Sequence, residues 1–123
     1  MLFRSAAKYS DGCAPDDGAA VDFSVGITER MCSADFGADA PKLRISLFQG
    51  VTLPPGVYPL DGGKGSVSYD NGEGEVNGNS GTLTIVEEVA DGYVGSYDVT
   101  LSDSTKLSGE FSAVYCPQDV LCG

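Results

Sequence analysis

The chain has 123 residues, 18 of them acidic and 7 basic, for a formal net charge of −11. That length is one domain, and that charge repels phosphate backbones and anionic lipid heads, so no nucleic acid partner is expected. There is no histidine, which removes Ser-His-Asp and Cys-His catalysis and the ordinary catalytic zinc site.

Residues 1–19 are polar and small, with Asp16-Asp17-Gly18 near their end, and read as an extended N-terminal arm ahead of a single domain at 20–123. The first residues carry Arg4 and Lys8 but no apolar stretch of the kind an export signal needs. From Val21 the pattern changes. Val21, Phe23, Val25 and Ile27 alternate with Asp22, Ser24, Gly26 and Thr28, the period of a half-buried strand. A loop follows through Cys32, Asp35, Gly37, Asp39 and Pro41. Leu43, Ile45 and Leu47 then alternate with Lys42, Arg44 and Ser46 as a second strand. Pro54-Pro55-Gly56 is a turn, because neither proline donates to a ladder. A short strand is expected at 57–60 and another around Val67 and Tyr69.

Residues 70–81, DNGEGEVNGNSG, lack periodicity and read as the longest loop of the second half. Leu83 and Ile85 mark the next strand, and Ala90-Asp91-Gly92 fits a three-residue hairpin loop. That loop pairs Ile85 with Tyr97 and Leu83 with Val99, all four on one face. Tyr93, Gly95, Tyr97, Val99 and Leu101 alternate, Ser102-Asp103-Ser104 turns the chain, and Leu107, Gly109, Phe111, Ala113 and Tyr115 alternate again. Gly95 and Gly109 are placed to lie beneath cross-strand aromatics. No segment keeps a helical period. About seven or eight short strands separated by turns predict an all-β fold, an antiparallel β-sandwich or related barrel.

Cys13, Cys32, Cys116 and Cys122 form no CxxC pair, so they read as two disulfides in an extracytosolic chain that is secreted, periplasmic or at the cell surface. Four cysteines allow three connectivities, and the sequence leaves them open. A bridge joining the two ends is the most stabilising, about 4 kcal/mol or more in the chain-entropy model.

The second half resembles a strand pattern recurring in bacterial secreted proteins and lipoproteins of unassigned function. The residues are LPPGVYPL at 53–60, SGTLTI at 80–85, GYVGSYDVTLSD at 92–103 and LSGEFSAVYC at 107–116. The resemblance implies an exported β-sandwich-like domain. It also implies a bridge from the cysteine after the first strand to the one ending the last, hence Cys32 with Cys116 and Cys13 with Cys122. It supplies no functional residues.

Glycine-rich runs at 62–65 and 72–78 miss the nucleotide-binding spacings and are turns. Asp70, Asn71, Glu73, Glu75, Asn77 and Asn79 place oxygen ligands at every second position, and Asp70, Glu73 and Glu75 are the candidate calcium ligands. With no lysine or arginine inside that loop, a cationic ligand is expected there. Asp98 and Glu110 are the one carboxylate pair considered for glycoside hydrolysis, directly opposite each other in one of two registers. Tyr58, Tyr69, Tyr93, Tyr97 and Tyr115 are core residues first and a sugar platform second. Lys42, Arg44 and Phe48 form a candidate exposed patch.

The expected function is a non-catalytic exported cell-surface or envelope domain for binding or structure, without membrane insertion. The alternatives are a subunit of an extracellular assembly, self-associating through an edge strand or the N-terminal arm, and a carboxylate-based hydrolase. Cationic or protein partners suit the charge, and calcium is the one candidate cofactor.

Overall fold

A computed structural model describes residues 4–13, 19–26, 42–48, 53–61, 64–70, 74–78, 80–90 and 92–116. The described residues are all-β, with no helix. The strands are β1 (Arg4–Cys13), β2 (Ala19–Val25), β3 (Lys42–Leu47), β4 (Gly56–Pro59), β5 (Gly65–Asp70), β6 (Glu75–Gly78), β7 (Ser80–Val89), β8 (Gly92–Thr100) and β9 (Lys106–Tyr115). They form one nine-stranded sheet in the order β4-β7-β8-β9-β1-β2-β3-β5-β6. Neighbours are antiparallel except β1 and β9, which run parallel.

The all-β expectation holds, but the architecture is a single mixed sheet curled into a half-barrel where a sandwich was expected. Two strands lay hidden in segments read as irregular. The first is β1, inside the expected arm: it sits at the middle of the sheet, paired Tyr9↔Phe23 with β2 and Tyr9↔Tyr115 with β9. Among its described side chains only Ala7 and Tyr9 are apolar groups packed on the core, too few to stand out as a period. The second is β6, inside the expected 70–81 loop, with Val76 as its one apolar residue packed on the core.

The β7–β8 hairpin closes with Val89 opposite Gly92, and its register shifts at a bulge between Ile85 and Glu87. Leu83 therefore faces Tyr97, Ile85 faces Gly95 and Gly81 faces Val99. The shift from the expected pairing is two residues, so every side chain keeps its face. The turn at 102–104 is where the alternation placed it. Ser104 donates its N–H to the Leu101 carbonyl at 2.9 Å, Leu101 donates to Thr105 O at 2.8 Å, and Thr105 donates to the Asp103 carboxylate at 3.0 Å. Hydrogen bonds from Thr105 hold the Asp103 carboxyl below the usual carboxylate range.

One face of the sheet wraps around a single apolar core. Phe23, Ile45, Leu47, Leu53, Leu60, Leu83 and Phe111 are fully buried within it. The ring contacts measure the curl. Phe23 on β2 and Tyr93 on β8 lie three strand spacings apart, about 14 Å in a flat sheet, yet their centroids are 6.4 Å apart. Phe23 and Phe111, two spacings apart, stand at 5.4 Å in an edge-to-face arrangement. The chain also meets itself at the rim, where Ser102 donates its N–H to the Asn77 carbonyl at 2.9 Å. Leu53, 40 residues from Tyr93 in sequence, donates its buried N–H to that hydroxyl at 3.3 Å and anchors the segment entering β4.

Gly95 and Gly109 do lie beneath aromatics, Phe111 and Tyr97 respectively. A Cβ at Gly95 would collide with the Thr84 carbonyl oxygen and stand 3.0 Å from Phe111 Cζ. Backbone and ring are both fixed by the sheet, so Gly95→Ala should cost about 3 kcal/mol or more. Gly74, with nothing within 4 Å of a Cβ, should accept alanine within about 0.5 kcal/mol. Urea unfolding of the two variants checks the contrast.

Burial, with the nearby Tyr69 phenol adding to it, raises the Tyr97 pKa. Folding thus favours the protonated phenol. That contribution is complete below about pH 10, the ordinary tyrosine value, and is lost as pH rises through the higher folded value. The fall in urea midpoint between pH 9 and higher pH should be shallower in Tyr97→Phe than in the parent protein. Equal slopes would refute the assignment.

Candidate functional site

Because the core takes every second residue, the other set points outward, and the sheet register aligns it in rows. Lys8 on β1 is paired with Ser24 on β2, Ser24 with Arg44 on β3, Arg44 with Ser68 on β5, and Ser68 with Asn77 on β6. One register row therefore carries an ammonium, a hydroxyl, a guanidinium, a hydroxyl and an amide across five adjacent strands. Beside it runs Ser10, Asp22, Ser46 and Ser66. The Ser46 hydroxyl donates to the Asp22 carboxylate at 2.7 Å, which fixes both side chains on the face.

Two recesses mark this outer face. The larger, about 380 Å³, is lined by Lys8, Ser10, Asp22, Ser24, Arg44 and Ser46, with part of Phe23 at its floor. The second, about 140 Å³, is lined by Lys42, Arg44, Ser68, Asp70 and Glu75. Arg44 belongs to both and is exposed between them. Three of the seven basic residues of the chain, Lys8, Lys42 and Arg44, thus share one face of a strongly acidic protein.

The candidate calcium ligands fall at the edge of this face. Asp70 ends β5 and Glu75 begins β6, directly opposite each other, while Glu73 lies outside the described residues. Lys42 is opposite Asp70 on its other side, and Arg44 lines the same recess. The absence of cations inside the loop therefore does not carry over to the fold, because β3 supplies two. Among the described residues no three acidic, cysteine or histidine side chains come together as a metal site.

Asp98 pairs with Ser108 and Glu110 with Ser96, so the two carboxylates are offset by two residues and are not opposite. Neither lines the recesses. The tyrosines serve packing: Tyr93 is buried, Tyr58, Tyr69 and Tyr97 pack against the core, and Tyr115 rests on Tyr9 at 5.1 Å. Of the Lys42, Arg44 and Phe48 patch, the two cations line the recess, whereas Phe48 is half-buried with its N–H bound to Lys64 O at 2.9 Å. Lys8, Ser10, Asp22, Ser24, Ser46 and Ser68 were not singled out from sequence. Their alternation with apolar neighbours put most of them outside, but nothing local said which strands lie side by side.

Chemically, the face offers donors and acceptors in alternation. Its serines have no imidazole to draw on, since the chain lacks histidine. It suits the recognition of a polar, hydrogen-bonding partner. Comparisons with protein-family models, curated proteins and solved structures gave no match.

Proposed function

We propose that this is a non-catalytic, exported cell-surface or envelope domain that binds its partner through the outer face of β1, β2, β3, β5 and β6. The observation that carries the reading is the five-strand row from Lys8 to Asn77. Polar side chains of complementary kind, held in register by a sheet, form a pre-organised surface that loses little side-chain freedom on binding. Among the described residues the inward side chains form an apolar core, so the polar groups available for recognition lie on the surface. Retention on a panel of immobilised envelope and extracellular polymers tests this. The parent protein should be held by at least one polymer, unaltered by incubation, and Lys8→Ala/Arg44→Ala should not be held. No retention, or retention that survives the double substitution, would overturn it.

Export rests on the cysteines. Cys116 is disulfide-bonded. Its N–H bonds to Tyr9 O at 2.7 Å, which places it alongside Ser10. Cys13 lies three residues further along β1, about 10 Å away along the strand, beyond the reach of a disulfide. The pairing Cys13–Cys116 is therefore disfavoured, which leaves Cys116 to Cys32 or Cys122. We propose Cys32–Cys116 with Cys13–Cys122. Thiol titration of unreduced, denatured protein should find no free thiol, and peptide mapping should recover a Cys32–Cys116 peptide. A Cys13–Cys32 peptide would reject the connectivity.

A further inference from the structure

We infer that the ligand of this face is a glycan chain bearing carboxylates, with Arg44 as the anchor for a carboxylate and the flanking serines as partners for sugar hydroxyls. The inference rests on the binding-face reading above and adds the class of ligand.

Four features select that class. The first is dimension. Five strands spaced about 4.8 Å apart give a row about 19 Å long, running across the strands, so it fits a linear chain of several units and exceeds a single small molecule. The second is chemistry. Ser24, Ser46, Ser66, Ser68 and Asn77 both donate and accept, Asp22 accepts, and Lys8 and Arg44 donate. That mixture matches a polymer carrying many hydroxyls and few charges. The third is what the face lacks. No exposed large hydrophobic residue lies in either row among the described residues, the exposed ones being Val57, Val86 and Tyr115. An apolar anchor for a peptide or a lipid is missing. The fourth is charge. A molecule of net charge −11 repels dense polyanions, whereas a sparse carboxylate can reach Arg44, whose planar guanidinium takes it in a bidentate pair.

Phosphate-rich polymers fail on the fourth feature and apolar peptides on the third. Asp22 is already engaged by Ser46 at 2.7 Å, so it presents its remaining lone pairs in a fixed direction. Such a site, without an aromatic platform, should bind weakly per unit and gain affinity with chain length.

Electrophoresis through a native gel containing carboxymethylcellulose of low substitution, in which carboxylates are sparse along the chain, with chelator present so that calcium bridges no carboxylates, tests the inference. A gel containing neutral hydroxyethylcellulose is the comparison. Net charge alone gives no retardation of an acidic protein by a polyanion, so retardation is diagnostic. The parent protein should be retarded by the sparsely carboxylated polymer and less by the neutral one, and added salt should weaken the effect. Arg44→Gln should lower the apparent affinity about tenfold, the loss of one charge-assisted hydrogen-bond pair. Lys106→Gln removes the same charge from an exposed position at the start of β9, away from the face, and should change nothing. Equal loss in both variants would reduce the effect to general charge and overturn the inference. Arg44-dependent retardation by the neutral gel alone would overturn the carboxylate class and leave the binding face standing. Passage through both gels unretarded would overturn the glycan, while the wider polymer panel judges the face independently.

Discussion

The fold depends on β1 occupying the middle of the sheet. With it in place there are four strands on either side, β4-β7-β8-β9 and β2-β3-β5-β6. Without it these are two separate antiparallel sheets with no ladder between them. Tyr9 sits where the join is made. Its ring lies 5.4 Å from Phe23, 4.9 Å from Tyr93 and 5.1 Å from Tyr115, contacts reaching into both halves. Pairs of this kind add about 0.5–1.5 kcal/mol each beyond their buried area. The parallel ladder to β9 pairs Arg4 with Glu110 and continues to Tyr9 with Tyr115, so it joins the two ends of the described chain. Its closing loop is nearly the longest the chain allows, and the entropy cost of closure grows only slowly with length.

This constraint also explains what the sequence makes legible. Strands β2, β3, β5, β7, β8 and β9 each place bulky apolar residues at alternate positions, and each reads as a strand without knowledge of its neighbours. β1 does not. It is RSAAKYSDGC, with Ala7 and Tyr9 as its contributions to the core, because the space at the middle of a tightly curled sheet is already filled by Phe23, Phe111 and Tyr93 from the strands around it. Two apolar groups among its described inward side chains, Ala7 and Tyr9, are too few to mark a period, and that is what makes the strand look like a polar arm. A sandwich follows naturally from the strands that can be read. The half-barrel follows only once β1 is known to join them in parallel.

The candidate face was legible in part for the same reason. Arg44 and Lys42 stand out as cations on a clear strand. Their companions come from β1, which was hidden, and from β5, which pairs with β3 although β4, at the far edge of the sheet, comes between them in sequence. A register row is a property of strand order, and strand order is not local. The carboxylates of 70–81 illustrate the converse error. Within the sequence they look uncompensated, but Asp70 gains Lys42 as a cross-strand neighbour 28 positions away. Net charge sets the long-range field of the molecule, whereas pairing decides the charge at a particular place.

Sheet edges are the other surface on which a β-domain can meet a partner, and here both are curtailed. The edge strands β4 and β6 are the shortest in the sheet, four residues each. Pro54 and Pro55 precede β4, and Pro59 ends it with no N–H to offer. At the other edge, the Asn77 carbonyl of β6 already accepts from Ser102, and a Cβ on Gly78 would stand 2.8 Å from Thr100 O. Short, proline-bounded or covered edges are how β-proteins avoid adding foreign strands. Val57 on β4, at 64% exposed, and Val86 on β7, at 61%, leave some apolar surface near this edge, but a four-residue edge strand offers little ladder to extend. The β1 segment is likewise committed to both its neighbours and has no edge to donate. Among the described residues, the outer face of β1, β2, β3, β5 and β6 is where polar side chains are aligned by the register rather than committed to the core or to a curtailed edge.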